Sequence, residues 1–148
     1  MSETSSQTAP KTGIDPRGPQ FAAALTVVVL LLALLLPQPW ALVVTAVQTV
    51  LFAIGAGLGV QRTPHSWLFK TLVRPRLGAP GELEDPAPPR FAQGVGLAFT
   101  VVALVAYLLG ATLVAQIALG FALLAAVLNA VFRFCLGCEV YLLIKRFA

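Results

Sequence analysis

The chain has 148 residues, of which 58% are hydrophobic and 11% charged, with a net charge of +4 and a mean hydropathy of +0.87. That balance excludes an ordinary soluble domain, in which roughly a quarter of residues are charged. It also gives no reason to invoke a nucleic-acid partner, because the basic residues lie beside apolar blocks, where membrane topology alone demands them.

All sixteen charges fall outside two blocks, Gly18 to Gln61 and Phe91 to Phe132, of 44 and 42 residues. Each block is about twice the ~20 residues that cross a bilayer as helix. The expected fold is therefore all-α and integral to the membrane. Helices are preferred because backbone groups in hydrocarbon must be satisfied within their own segment.

In chain order, residues 1–13 are polar and rich in Ser and Thr, and read as a disordered cytoplasmic tail. Residues 14–148 read as a four-helix membrane domain. Its first hairpin has spans at 21–36 and 40–60, broken by Pro37-Gln38-Pro39. Leu36-Pro37-Gln38-Pro39-Trp40 is a poor signal-peptide cleavage site, so the first span is expected to stay. Span two carries Gly55-Ala56-Gly57-Leu58-Gly59, a Gly-x-x-x-Gly spacing that suits helix packing within the bundle or a homodimer face. Gln48 here, and Gln116 and Asn129 later, are polar groups expected to turn inward.

The central loop is expected to hold a short interfacial helix over Ser66 to Arg74. Leu68, Phe69, Leu72 and Val73 share one face, Lys70 and Arg74 the other, and Pro75 ends the run. Trp67 suits the headgroup level. His65 reads as a loop residue with no second histidine to make a site. A linker at 78–89 leads to spans at 91–109 and 112–132, separated by Gly110-Ala111-Thr112, and then to an interfacial segment at 133–148.

Basic residues flank the spans at both ends of the chain and between the hairpins, while the two hairpin turns carry no charge. By the positive-inside rule both termini and the central loop are cytoplasmic. The lead-in Asp15-Pro16-Arg17-Gly18-Pro19-Gln20-Phe21-Ala22 returns as Asp85-Pro86-Ala87-Pro88-Pro89-Arg90-Phe91-Ala92, identical at five of eight positions. With one inserted residue, Arg62 matches Arg133 and Leu72 matches Leu143, which aligns Pro64 and Trp67 with Cys135 and Cys138. The reading is two tandem, parallel-repeat hairpins.

Arg133-Phe134-Cys135-Leu136-Gly137-Cys138-Glu139 holds the only two cysteines of the chain. At helical spacing they lie one turn apart on one face, where a disulfide is geometrically possible. A helix starting here, with Gly137 allowing the new turn, favours thiolate. Arg133 adds to that effect, and Glu139 opposes it or takes the proton. Three readings stand: a redox dithiol, half of a metal site completed across a dimer, or a packing pair. At a cytoplasmic edge a lasting structural disulfide is not expected.

Ile14-Asp15-Pro16-Arg17-Gly18-Pro19, Leu72-Val73-Arg74-Pro75-Arg76-Leu77, Pro89-Arg90-Phe91-Ala92-Gln93 and Cys135-Leu136-Gly137-Cys138-Glu139 together resemble the bacterial membrane family catalogued as domain of unknown function 4395. The resemblance runs from Ile14 to Arg146. It implies an integral protein of the bacterial inner membrane, often encoded near thioredoxin-like or sulfurtransferase genes and so with such a protein as a candidate partner, without implying an activity. Vitamin K epoxide reductase is a second four-helix membrane protein with a Cys-x-x-Cys near a helix end, and that likeness implies quinone coupling. Its additional cysteines and outer-side dithiol have no counterpart here.

The expected function is a membrane-embedded thiol-disulfide redox protein acting through Cys135, Cys138, Glu139 and Arg133. No resident metal or cofactor is expected, with a quinone as the possible exception. The alternative is a non-enzymatic scaffold in the bilayer that recruits a soluble thiol or sulfur protein.

Overall fold

The computed structural model describes residues 13–77, 83 and 85–147. Its elements are α1 (Arg17–Leu35), α2 (Trp40–Leu58), a 3-10 turn (Val60–Arg62), α3 (Pro64–Leu68), a π turn (Phe69–Val73), α4 (Arg74–Leu77), α5 (Ala87–Leu108), α6 (Thr112–Phe132) and α7 (Leu136–Phe147). No strand forms among the described residues, and α1, α2, α5 and α6 are each long and apolar enough to cross a membrane. The chain is thus an all-helical, multi-pass membrane protein.

Spans one and three start four residues earlier than expected, at Arg17 and Ala87. The prolines that read as linker are helix-start residues, since the first turn needs no donor from them. Each start is organised by an aspartate: Asp15 Oδ1 accepts the Arg17 N–H, and Asp85 Oδ1 accepts the Ala87 N–H, both at 3.0 Å. The expected linker therefore stops at Pro86, and its residues 78–82 and 84 lie outside the described residues, as do 1–12 of the tail. Span two ends at Leu58 because Gly59, at φ 105°, leaves the helical region; Gly110, at φ 80°, does the same between α5 and α6.

The four spans form a ring in the order α1, α2, α5, α6, with α6 closing back on α1, and the diagonal pairs barely meet. Small residues allow the close approach. Ala33, Ala103, Ala106, Ala115, Ala118 and Ala122 pack around Leu30 and Leu119, so backbone-to-backbone van der Waals contact holds the bundle where lipid supplies no hydrophobic drive. Only 17 to 28% of each span's most apolar stretch is fully buried, and across the four spans most of the remaining side chains are half-buried, as expected of a thin bundle with one helix per corner.

Gly55 faces the Gln93 side chain of α5, and Gly96 of α5 receives the Phe52 ring of α2. The glycine at 55 therefore serves packing inside the bundle, and Gly59 serves the helix end. Gln48 turns inward as expected, at 1% exposure, but its Oε1 finds no partner. Gln116 instead faces outward and Asn129 is half-buried. The apolar neighbours that fill α6's inner face, Ala115, Ala118, Leu119 and Ala122, leave no place there for Gln116.

Two side chains tie the hairpins together. Gln20, at the start of α1, donates to the Ala130 carbonyl near the end of α6 at 2.9 Å. Arg90, at the start of α5, donates to the Ala56 and Gly57 carbonyls near the end of α2 at 2.7 and 2.6 Å. Both satisfy carbonyls that the last helical turn leaves without an intrahelical donor.

The central segment is helical from Pro64 to Leu77, longer than expected. Pro75 does not end it: the preceding π turn widens the backbone, and Pro75 falls in the first turn of α4, where its missing N–H costs least. Phe69 is buried, meeting the Phe21 ring at 5.8 Å and facing Gly18, whereas Leu72 and Trp67 are exposed. His65 is not in a loop but in the first turn of α3, and it is buried.

Candidate functional site

The site begins where α6 stops. Arg133 adopts a left-handed conformation at φ 57°, and the N–H groups of Arg133 and Phe134 turn back to the Asn129 and Leu128 carbonyls. A non-glycine residue pays about 1–2 kcal/mol for that conformation, and here it reverses the chain so that α7 lies against α5. Gly137, to which the sequence assigned the new turn, has a different task. A Cβ at Gly137 would stand 2.6 Å from both Cα and Cβ of Ala92. The glycine inside the Cys-x-x-Cys is therefore what lets its turn touch the α5 backbone.

Four residues on from Gly137, Tyr141 meets the Phe91 ring, with centroids 5.6 Å apart. These two contacts fix the angle of α7. Cys135 and Cys138 are joined by a disulfide, with Cα atoms 5.1 Å apart. The bond that the spacing of three residues made geometrically possible is thus formed, with both sulfurs on one turn.

Cys135 occupies the position just before α7. Its carbonyl accepts the Glu139 N–H at 3.0 Å, and its Sγ accepts the Cys138 N–H at 3.2 Å. This is an N-cap in which sulfur takes the place usually held by a Ser, Thr or Asp oxygen. The same cap occurs with oxygen at the start of α3. Thr63, just before α3, accepts the Trp67 N–H on its carbonyl and the Ser66 N–H on its Oγ1, both at 3.1 Å.

Both cysteines are half-buried, while Glu139 and Arg133 are exposed. The sequence brought these four residues together by proximity along the chain, and the fold keeps them at one corner. What sequence reasoning missed is the support beneath them: Ala92, Phe91 and Tyr141. The single available signal was the repeated Phe-Ala lead-in at residues 91–92, which places a small residue next to a large one. Among the described residues, no group of three or more His, Cys, Asp or Glu side chains is close enough to hold a metal ion.

A second polar cluster lies at the start of α1. The Asp15 carboxylate is nearly buried and takes hydrogen bonds from Arg17 Nε at 3.0 Å and Nη2 at 2.8 Å, with Arg74 Nε at 3.9 Å. The Arg17 hydrogen bonds hold its pKa below the usual carboxylate value. This cluster pins the central segment to the first span and involves neither cysteine.

Compared with known proteins, the chain matches no curated protein and no solved structure at a meaningful level. A family profile does match, over residues 14–146, which takes in all four spans and the disulfide. The chain belongs to the family described as Domain of unknown function (DUF4395).

Proposed function

We propose that this chain is a membrane-embedded thiol-disulfide redox protein whose working group is the Cys135–Cys138 pair. The observation that carries the reading is a disulfide closed across the first turn of α7, with the Cys138 N–H directed at the Cys135 sulfur. In the dithiol form the same N–H and the helix dipole favour a thiolate at Cys135. That thiolate attacks an acceptor disulfide RSSR, forming a Cys135–SR bond as one RS⁻ leaves. Cys138 then gives up its proton, for which exposed Glu139 is the neighbouring acceptor, and attacks the Cys135 sulfur to expel the second RS⁻. Two electrons pass from the dithiol to the acceptor, and two protons follow to the released thiolates. Arg133 contributes positive charge two residues before the attacking thiol. The reverse sequence re-reduces the protein.

The setting we assign is a bacterial inner membrane with both termini and the central loop cytoplasmic. Its support is the distribution of Arg62, Lys70, Arg74, Arg76, Arg90, Arg133, Lys145 and Arg146 against two hairpin turns without charge.

We further read the two hairpins as copies of one unit, each followed by an interfacial helix. Supporting this are the matching aspartate starts at 15 and 85, the crossed ties from Gln20 and Arg90, and the ring pairs Phe21–Phe69 and Phe91–Tyr141. The caps refine the register: Cys135 corresponds to Thr63 and Cys138 to Ser66, one residue from the alignment made by sequence identity.

Alkylation with a mass-tagged maleimide in native membranes tests the redox reading. After reduction two tags are expected per chain, and after mild oxidant none; Cys135→Ser should leave Cys138 tagged under both conditions. A wild-type pair that keeps both tags after oxidant would sink the reading and leave a scaffold.

A further inference from the structure

The disulfide's surroundings identify its partner more narrowly, given the redox reading above. At about 100° per residue, α7 divides into three sectors. Gly137 and Tyr141 point at α5 and make the contacts with Ala92 and Phe91. Leu136, Val140, Leu143 and Phe147 fall within about 60° of one another, all four are exposed, and exposed Ile144 flanks them on the side toward α5. The remaining sector holds Glu139, Lys145, Arg146 and Leu142, together with Cys138, and the cap places Cys135 beside it.

The apolar stripe lies in continuity with the lipid-facing belt of the bundle. Three residues separate the end of α6 from the start of α7, and the last side chains of α6, Val131 and Phe132, are themselves exposed. A stripe of four large apolar side chains at that level is covered by the headgroup-acyl boundary of the bilayer. With one sector on lipid and one on α5, the third faces water, and it is the sector with every charge of the helix.

We infer that the sulfurs face the aqueous phase and that their exchange partner is a water-borne thiolate, not a redox carrier dissolved in the membrane. The thiolate attacks Cys135 Sγ, the Cys135–Cys138 bond breaks, and Cys138 leaves as thiolate and takes a proton from water. A second thiolate then attacks the partner sulfur of the mixed disulfide, so that RSSR departs and Cys135 is released as thiolate. Exposed Leu142, between Cys138 and the basic pair Lys145 and Arg146, gives a protein thiol an apolar contact inside a charged rim. The same chemistry in a small thiol needs no such contact.

The test uses the full chain, oxidised, in nanodiscs of phosphatidylglycerol and phosphatidylethanolamine. Dithiothreitol, a reduced bacterial thioredoxin and a lipid-soluble quinol are added separately, and the opened disulfide is counted by maleimide tagging. Both aqueous thiols are expected to open it at least about tenfold faster than the quinol. Leu142→Glu should slow thioredoxin while leaving dithiothreitol unchanged if the source is a protein thiol, and slow neither if it is a small one. Opening by the quinol as fast as by the thiols overturns the inference and directs attention to the apolar groove of Ala56, Phe91, Gly94, Val95, Ala98 and Tyr141 beside α7, while the redox reading survives. A disulfide that none of the three opens removes both.

Discussion

At the scale of single residues, two buried polar side chains carry measurable consequences. Gln48 Oε1 is sealed among the helices without a donor, and an unmade hydrogen bond in such a place costs about 1–3 kcal/mol. Gln48→Leu is therefore expected to raise the thermal unfolding midpoint in detergent; a lowered midpoint would mean that the amide has a donor, such as a trapped water. His65 is pushed below its usual 6.5 by burial. Its neutral form is the one the fold accommodates, so the unfolded chain binds the extra proton. Stability should hold above pH 6.5 and fall as the pH drops through and below that value, until the folded-state pKa is passed. His65→Gln should flatten that slope in unfolding scans between pH 8 and 5. Asp15 acts in a separate window: held below 3.8 by Arg17, its contribution is lost only in stronger acid.

At the scale of the element, α7 is positioned by one glycine and one strained residue. Gly137→Ala drives a methyl into the α5 backbone at Ala92, which has nowhere to yield. The expected result is an α7 lifted from α5, a loss of about 1–3 kcal/mol, and cysteines that react faster with maleimide after reduction. Arg133→Gly removes a left-handed side chain and should stabilise by up to about 1 kcal/mol without moving the helix. Equal behaviour of the two variants would show that the docking against Ala92 is not what holds α7. Neither role was legible in the sequence, where a glycine between two cysteines signals a turn and an arginine after an apolar run signals a membrane edge. The turn was read at Gly137 and is made at Arg133, because helix termination depends on which carbonyls are free and not on residue type alone.

At the scale of the whole molecule, the number and approximate limits of the spans were legible because charge is excluded from hydrocarbon, and that exclusion leaves a pattern along the chain. The ring order of the spans was not, since it depends on which small-residue faces meet across the bundle. The cysteine pair was legible as a motif. Its place as an N-cap, with the same hydrogen bonds that Thr63 makes before α3, was hidden, because sulfur is not among the usual capping atoms. Orientation has a direct check: in reduced cells, Gln38→Cys, in the turn between α1 and α2, should react with an impermeant maleimide while the cells are intact, whereas Cys135 and Cys138 react only after permeabilisation. Labelling of the native pair from outside would invert the topology. The crossed ties of Gln20 and Arg90 bear on how the protein is made. The end of α2 receives its donors from a residue 34 and 33 positions later than the two carbonyls it serves, and the end of α6 from one 110 positions earlier. During synthesis the first hairpin must wait in the membrane with open carbonyls until α5 arrives to close them. Assembly is thereby held back until the second half exists, and two halves expressed as separate chains, split in the central loop, should be able to find each other.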